Sequence, residues 1–262
     1  MCNSCRNSSA CSDDELELFS ELDQDEQIVL QKRQDAVNNA NQQRLQRLTA
    51  ESPKARSILD NRWVFFQVRK SHFPSPVVVP EVLTADQCQM ILDQCLQMED
   101  AWTSDRHSAF PTHDIPLTTT PSFADVVSLL RERVIYKILC PMYGFAPHQL
   151  GFRDLFLVKY SACGQRGLAA HTDGCLLSFS ILVNGPTDFS GGGTQFFVSD
   201  GSPSTLLHPH QGALIHHDSR IKHQGNDITK GERVIIVGFV DTVDTLLKDK
   251  LASNQACPNA RH

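Results

Sequence analysis

The sequence predicts an α+β fold in which helices come first and an antiparallel β-sandwich or barrel follows. Two observations carry this reading. Ahead of residue 150, apolar residues recur at helical spacing in two stretches; beyond Gly151, short apolar runs alternate with turn-forming pieces such as Asn184-Gly185-Pro186 and Ser190-Gly191-Gly192-Gly193. A barrel-like sandwich encloses a dry interior on which side chains from several strands converge.

In chain order, 1–60 reads as an N-terminal tail with a polar helical extension, and 61–262 as a single domain with its core at 151–241. Ser12 and Glu15 form a helix-start signature followed by a stripe of Leu16, Phe19 and Leu22. Residues 31–47 are rich in Gln, Asn, Lys and Arg, which suits a solvated helix or a partner-binding arm. Aromatic and β-branched residues make 62–69 the first expected strand, and 73–80 a second extended piece. Thr84 and Gln87 cap a helix reaching Met98, with Cys88, Ile91, Leu92, Cys95 and Leu96 on its apolar face. Residues 102–121 show no regular pattern and are expected to form a lid or substrate loop, with 110–115 on the pocket rim. A second amphipathic helix spans 123–142 through Val126, Leu129, Leu130, Val134, Ile135 and Ile138. Strands are then expected at 152–160, 171–182, 194–198, 212–216 and 233–240.

The chain has 262 residues, is 40% hydrophobic and carries a formal net charge of −6, so binding to nucleic acid through a basic surface is not expected. No apolar run is long enough to span a membrane, and the polar start Met1-Cys2-Asn3-Ser4 cannot serve as the apolar region of a signal peptide. The expectation is a soluble, cytoplasmic protein whose nine cysteines stay reduced. Cys2, Cys5 and Cys11 have no partnering Cys or His pair at zinc-site spacing.

The chemistry concentrates around His171-Thr172-Asp173. On an extended segment, residues two apart project to the same side, so an imidazole and a carboxylate could share one metal ion. His223 follows 50 residues on (173 to 223), and Arg233 opens the last apolar strand 10 residues beyond it (223 to 233). Two histidines and one carboxylate with open positions make up the facial triad of non-haem iron oxygenases. His217 is a rival distal ligand, but ten residues beyond it lies Asp227 rather than a basic group. Lys230 rivals Arg233, although Gly231 beside it suggests a turn. His208, His210 and His216 read as loop or strand-surface residues, and the glycines 191 to 193 as a bulge or tight turn.

The runs Phe156-Leu157-Val158-Lys159-Tyr160, His171-Thr172-Asp173-Gly174, Asp188 through Phe196, His217 through Gly225 and Gly231 through Asp241 resemble the catalytic domain of collagen lysyl and prolyl hydroxylases, the lysyl branch more closely. The resemblance covers about the last ninety residues tightly, 75–150 loosely, and leaves 1–60 unmatched. It implies a double-stranded β-helix (jelly-roll or cupin-like) core with flanking helices. It implies Fe(II) held by His171, Asp173 and His223, with 2-oxoglutarate and O2 as cosubstrates and ascorbate as reductant. Arg233 would pair with the far carboxylate of 2-oxoglutarate, and Tyr160 would hydrogen-bond it. Family halogenases carry a small residue at the carboxylate position, so Asp173 favours hydroxylation. The implied reaction hydroxylates a lysyl or prolyl side chain in a peptide, with release of succinate and CO2. Two alternatives stay open: an oxygenase of a free amino acid or secondary metabolite, acting by hydroxylation, desaturation or cyclisation, and a non-catalytic sandwich-fold binding protein.

Overall fold

A computed structural model describes residues 23–70, 74–197 and 204–256. The helix start at Ser12, its apolar stripe and the cysteines at 2, 5 and 11 lie outside the described residues. The chain divides into two compact units, 1–51 and 52–262. The first contains α1 (Gln24–Ala50), capped by a reciprocal pair in which Asp23 accepts from the Glu26 amide and Glu26 from the Asp23 amide. Its polar side chains bond one turn apart, Gln31 to Asp35 and Gln34 to Asn38.

The second unit opens with α2 (Ile58–Val68), where a strand was expected. Ser57 caps this helix by accepting from the Asp60 amide, and Asn61, Phe65 and Arg69 are buried at a spacing of four, one per turn. Arg62 then reaches Asp244, Thr242 and Thr245. These distant contacts override the β propensity of Trp63, Val64 and Phe66. β1 (Val77–Val79) and α3 (Ala85–Leu96) follow, the latter closed by the expected Thr84–Gln87 capping box. Cys88, Ile91 and Cys95 are buried as predicted, but Leu96 is 70% exposed, because it lies off that stripe at the helix end.

Within 102–121 the structure forms a short strand, β2 (Asp114–Pro116). The second amphipathic helix is present as three joined pieces: α4 (Ala124–Leu130), a π-helical stretch (Arg131–Leu139) and α5 (Cys140–Tyr143), ending at Gly144 with φ 77°.

The β region comprises β3 (Leu150–Ser161), β4 (Leu168–His171), β5 (Leu177–Leu182), β6 (Phe189–Gly191), β7 (Thr194–Phe197), β8 (Thr205–Leu207), β9 (Leu214–Asp218), β10 (Lys222–Gly225) and β11 (Ile228–Thr242), and α6 (Val243–Ala256) closes the described chain. All the pairings are antiparallel. The larger sheet runs β1-β9-β5-β11-β3-β2, with β6 also on β11, and the smaller runs β4-β10-β7-β8. Among the described residues no helix is long and apolar enough to cross a membrane.

Strand alternation gives the larger sheet two different faces. Leu155, Leu157, Leu177, Ile181, Val234 and Ile236 pack with the helices into the main core. The opposite row, Phe156, Val158 and Tyr160 on β3 and Ile235 on β11, lines a cavity instead.

Candidate active site

The two sheets meet around a cavity of about 380 Å³ whose walls include His171, Asp173, His223, Arg233 and Tyr160. His171, the last residue of β4, and His223 on β10 are register partners, with ring centroids 4.5 Å apart. Asp173 stands apart from the extended segment expected of it. β4 stops at His171, and 172–176 form no strand, so the predicted 171–182 strand divides into β4 and β5. The Asp173 amide instead donates to the Ser219 carbonyl at 3.0 Å. Its Oδ1 lies 3.3 Å from His171 Nε2 and its Oδ2 3.6 Å from His223 Nε2. One ligand atom from each of the three falls within 4.8 Å of the others, a group that could hold one metal ion.

Both rings are oriented for that role. His171 Nδ1 meets the Ala169 carbonyl at 2.8 Å, and His223 Nδ1 meets the Ile221 carbonyl at 3.0 Å. A carbonyl can only accept, so Nδ1 carries the proton and Nε2 keeps its lone pair for a metal. Burial would raise the Asp173 carboxyl, but the imidazoles of His171 and His223 beside it, in the metal-free protein, outweigh burial and hold it below the ordinary carboxylate range. Burial would likewise lower His171, yet Asp173 and the Ala169 carbonyl raise it on balance. His223 is lowered, chiefly by burial. The carboxylate thus makes the point between the rings attractive to a cation.

Arg233 is 1% exposed and faces the same cavity. Its register partner on β3 is Tyr160, and its guanidinium carbon lies 5.7 Å from that ring centroid. Nη2 is buried without a hydrogen-bond partner, and burial lowers the guanidinium below its usual range. A buried cation with an unused donor fits an incoming carboxylate. The three glycines make room for it: 191, 192 and 193 all have positive φ, and a Cβ on Gly192 would lie 3.3 Å from Arg233 Cδ. Lys230 is exposed and sits within β11 rather than in a turn, its side chain away from the cavity walls.

Residues 106–110 and Thr112 contribute to the cavity lining. Phe110 places its ring 4.7 Å from that of His171. Arg106 pins the segment down, donating at 2.7 Å both to Asp114 on β2 and to Asp154 on β3. Of the expected rim 110–115, Phe110 and Thr112 line the cavity, Ile115 belongs to the core, and His113 stacks on Trp102 with centroids 5.4 Å apart. Arg106 carried no signal in the sequence. Its role depends on Asp154, 48 positions away, being brought next to it by the β3–β2 pairing.

Neighbouring residues of β9 point opposite ways. His217 enters the cavity wall, its ring 4.6 Å from His223, but is not part of the metal-binding group. His216 is not on the surface. It is fully buried on the helix side, with Nδ1 2.9 Å from the Tyr143 hydroxyl, and burial pushes its pKa down to about 4. A ring neutral in the fold and freely protonated when unfolded costs stability as pH falls. The stability is intact above the unfolded value near 6.5, and on the order of 3 kcal/mol is lost by about pH 4. His216→Gln should flatten the decline in urea midpoint between pH 7 and 5; an unchanged slope would show that this ring does not cause it.

No protein-family model matches the chain. Human procollagen-lysine,2-oxoglutarate 5-dioxygenase 2 is 30% identical over 146 residues, which are 54% of this chain and 19% of the relative. Bovine procollagen-lysine,2-oxoglutarate 5-dioxygenase 1 is 37% identical over 93 residues, 33% of this chain and 12% of that one. The chain thus spans less than a fifth of the length of these curated relatives. Among solved structures, an oxidoreductase of the 2OG-Fe(II) oxygenase family from Burkholderia pseudomallei aligns with a TM-score of 0.53 and 15% identity, covering 71% of this chain and 91% of that one. The fold is therefore the double-stranded β-helix of 2OG-Fe(II) oxygenases, as expected.

Proposed function

We propose that this chain is an Fe(II)- and 2-oxoglutarate-dependent dioxygenase that hydroxylates an amino-acid side chain, lysyl or prolyl in a peptide. The observation that carries this reading is the pairing, within one cavity, of the His171–Asp173–His223 group with a buried Arg233 whose Nη2 has no partner. A binding module of the same fold has no use for both together, which weighs against the non-catalytic alternative. His171, Asp173 and His223 would hold the iron, and Arg233 with Tyr160 would take the distal carboxylate of 2-oxoglutarate. The bound iron supplies the oxidising chemistry, in which O2 and 2-oxoglutarate become CO2, succinate and one oxygen atom inserted into a substrate C–H bond. Ascorbate, as the reductant that keeps iron ferrous, belongs to the same proposal.

The chain's own residues bind, orient and exclude water. Phe156, Val158, Ile235, Val237 and Phe239 form an apolar wall running from Arg233 toward the 106–112 segment. Phe110 packs its ring against that of His171. The peptide preference is supported by the relatives, whose names give lysine in procollagen as substrate. A free amino acid is the second reading, favoured by a cavity of about 380 Å³ that suits the cosubstrate and one side chain.

The test is turnover with Fe(II), 2-oxoglutarate and air, offering a lysine- and proline-containing peptide library beside a panel of free amino acids. The expected product gains one oxygen atom with one succinate formed per turnover. A product that has lost two hydrogens and gained no oxygen overturns hydroxylation in favour of desaturation or cyclisation.

A further inference from the structure

We propose that Arg153 is a positioning residue for Asp173, holding the carbonyl of Gly174 so that the metal-binding carboxylate keeps its place between the two imidazoles. The inference rests on the metal site proposed above. His171 and His223 take their places from the β4–β10 pairing, whereas Asp173 lies beyond the end of β4, in the segment 172–176 that forms no strand. Some of that segment is tied down by its neighbours: the Asp173 amide donates to Ser219 O at 3.0 Å, Ser219 Oγ to Cys175 O, and the Leu176 amide to Val240 O at 3.1 Å. Gly174 stands among these ties with no Cβ to restrict its φ and ψ. A Cβ there would meet nothing within 4 Å, and its φ lies outside the left-handed region, so neither close packing nor backbone conformation demands glycine. The carboxylate therefore adjoins a hinge.

Arg153 restrains that hinge. From β3 its Nη1 donates to Gly174 O at 3.2 Å and to Asp241 Oδ2 at 2.7 Å, and its Nη2 donates to Asp249 Oδ2 at 2.6 Å. Asp241 is buried on β11 and Asp249 lies on α6, so two separate elements grip the guanidinium. Charge-assisted bonds to both carboxylates fix the plane of the fork and hold one edge of it against the Gly174 carbonyl. A lysine, with one ammonium on a flexible stem, cannot keep three acceptors in this geometry. Gly174 lines the metal-binding cavity and Arg153 does not, so Arg153 acts through the loop rather than on the substrate. The Asp249 pair is solvent-exposed, at 38% and 49% for the two side chains, and such a pair contributes little to stability by itself.

The experiment titrates metal-free native protein, Arg153→Ala, Arg153→Lys, the double variant Arg153→Ala/Gly174→Ala and His223→Ala with Mn(II), following free Mn(II) by electron paramagnetic resonance. Arg153→Ala is expected to bind about 10-fold more weakly, and Arg153→Lys to fall between it and native. Adding Gly174→Ala stiffens the hinge and should recover roughly two- to fivefold of the loss. The visible bands of the Co(II)-loaded protein should move in Arg153→Ala and move back in the double variant, a pattern that a merely structural role would not produce. Arg153→Ala leaves the buried Asp241 carboxylate without this partner. If it does not fold, Arg153→Met/Asp241→Asn, which removes both charges, replaces it with the same expectation. Native-like Mn(II) affinity in the folded variant overturns the role of Arg153 while leaving the metal site standing, and so does a loss that Gly174→Ala fails to reduce. Equal binding by native and His223→Ala, or none by native, overturns the metal site and this inference with it.

Discussion

His223→Ala is expected to lose iron binding and succinate formation together while remaining folded. The ring is one of the two imidazoles in the group that could hold a metal ion, and among the described residues no second such group is found. His217 is the nearest substitute at 4.6 Å between centroids, but its position on β9 is fixed by pairing with Ser178 on β5, outside the group. Folding should survive because His223 contributes a ring at the cavity wall, stacked on Phe196 at 5.7 Å, and its loss enlarges an existing space. A cost of about 1–2 kcal/mol is in line with truncations of this kind. Metal content after anaerobic loading with Fe(II), set beside circular dichroism, tests this; native turnover in the variant would remove His223 from the site. His171→Ala and Asp173→Ala should behave alike, since either leaves two ligands.

Arg233 should show opposite effects on ligand binding and on stability. Its guanidinium is buried with an unpartnered nitrogen, so the ligand-free protein bears the cost of a desolvated cation. Arg233→Met should make the ligand-free protein more stable by about 1–2 kcal/mol. The same change, or Arg233→Ala, should weaken 2-oxoglutarate binding by about 2–3 kcal/mol, roughly 30- to 150-fold, because a charge-assisted pair is lost. Arg233→Lys keeps charge without the fork and should fall between. Melting curves and 2-oxoglutarate titrations of the four proteins check both halves. Superimposable titrations of native and Arg233→Ala would place the anchor elsewhere.

Much of the site was legible because its elements are local or periodic. The His171-Thr172-Asp173 pair lies within three residues, and the row Arg233, Ile235, Val237, Phe239 follows strand alternation read from the chain. The helix caps at Thr84 and the apolar stripe from Val126 to Ile135 were equally local. The N-terminal boundary of β11 was less so, since 229–232 carries no apolar side chain and becomes strand by pairing with β6 and β3.

The sequence by itself determined the residue types that can bind iron and a dicarboxylate, and the order in which helices and strands follow, because these depend on short spacings and side-chain chemistry. Tertiary structure alone decided where 62–69 would lie. The Ser57 cap is a local helix signal, but it is Arg62 reaching Asp244 that fixes the segment in place against the propensity of its own residues. Tertiary structure also buried His216 while sending its neighbour His217 into the cavity, since only the packing of β9 between helices and site gives the strand's two faces different surroundings. And it alone gave Asp173 its partners, the Ser219 carbonyl and the rings of His171 and His223, through contacts that no local pattern encodes.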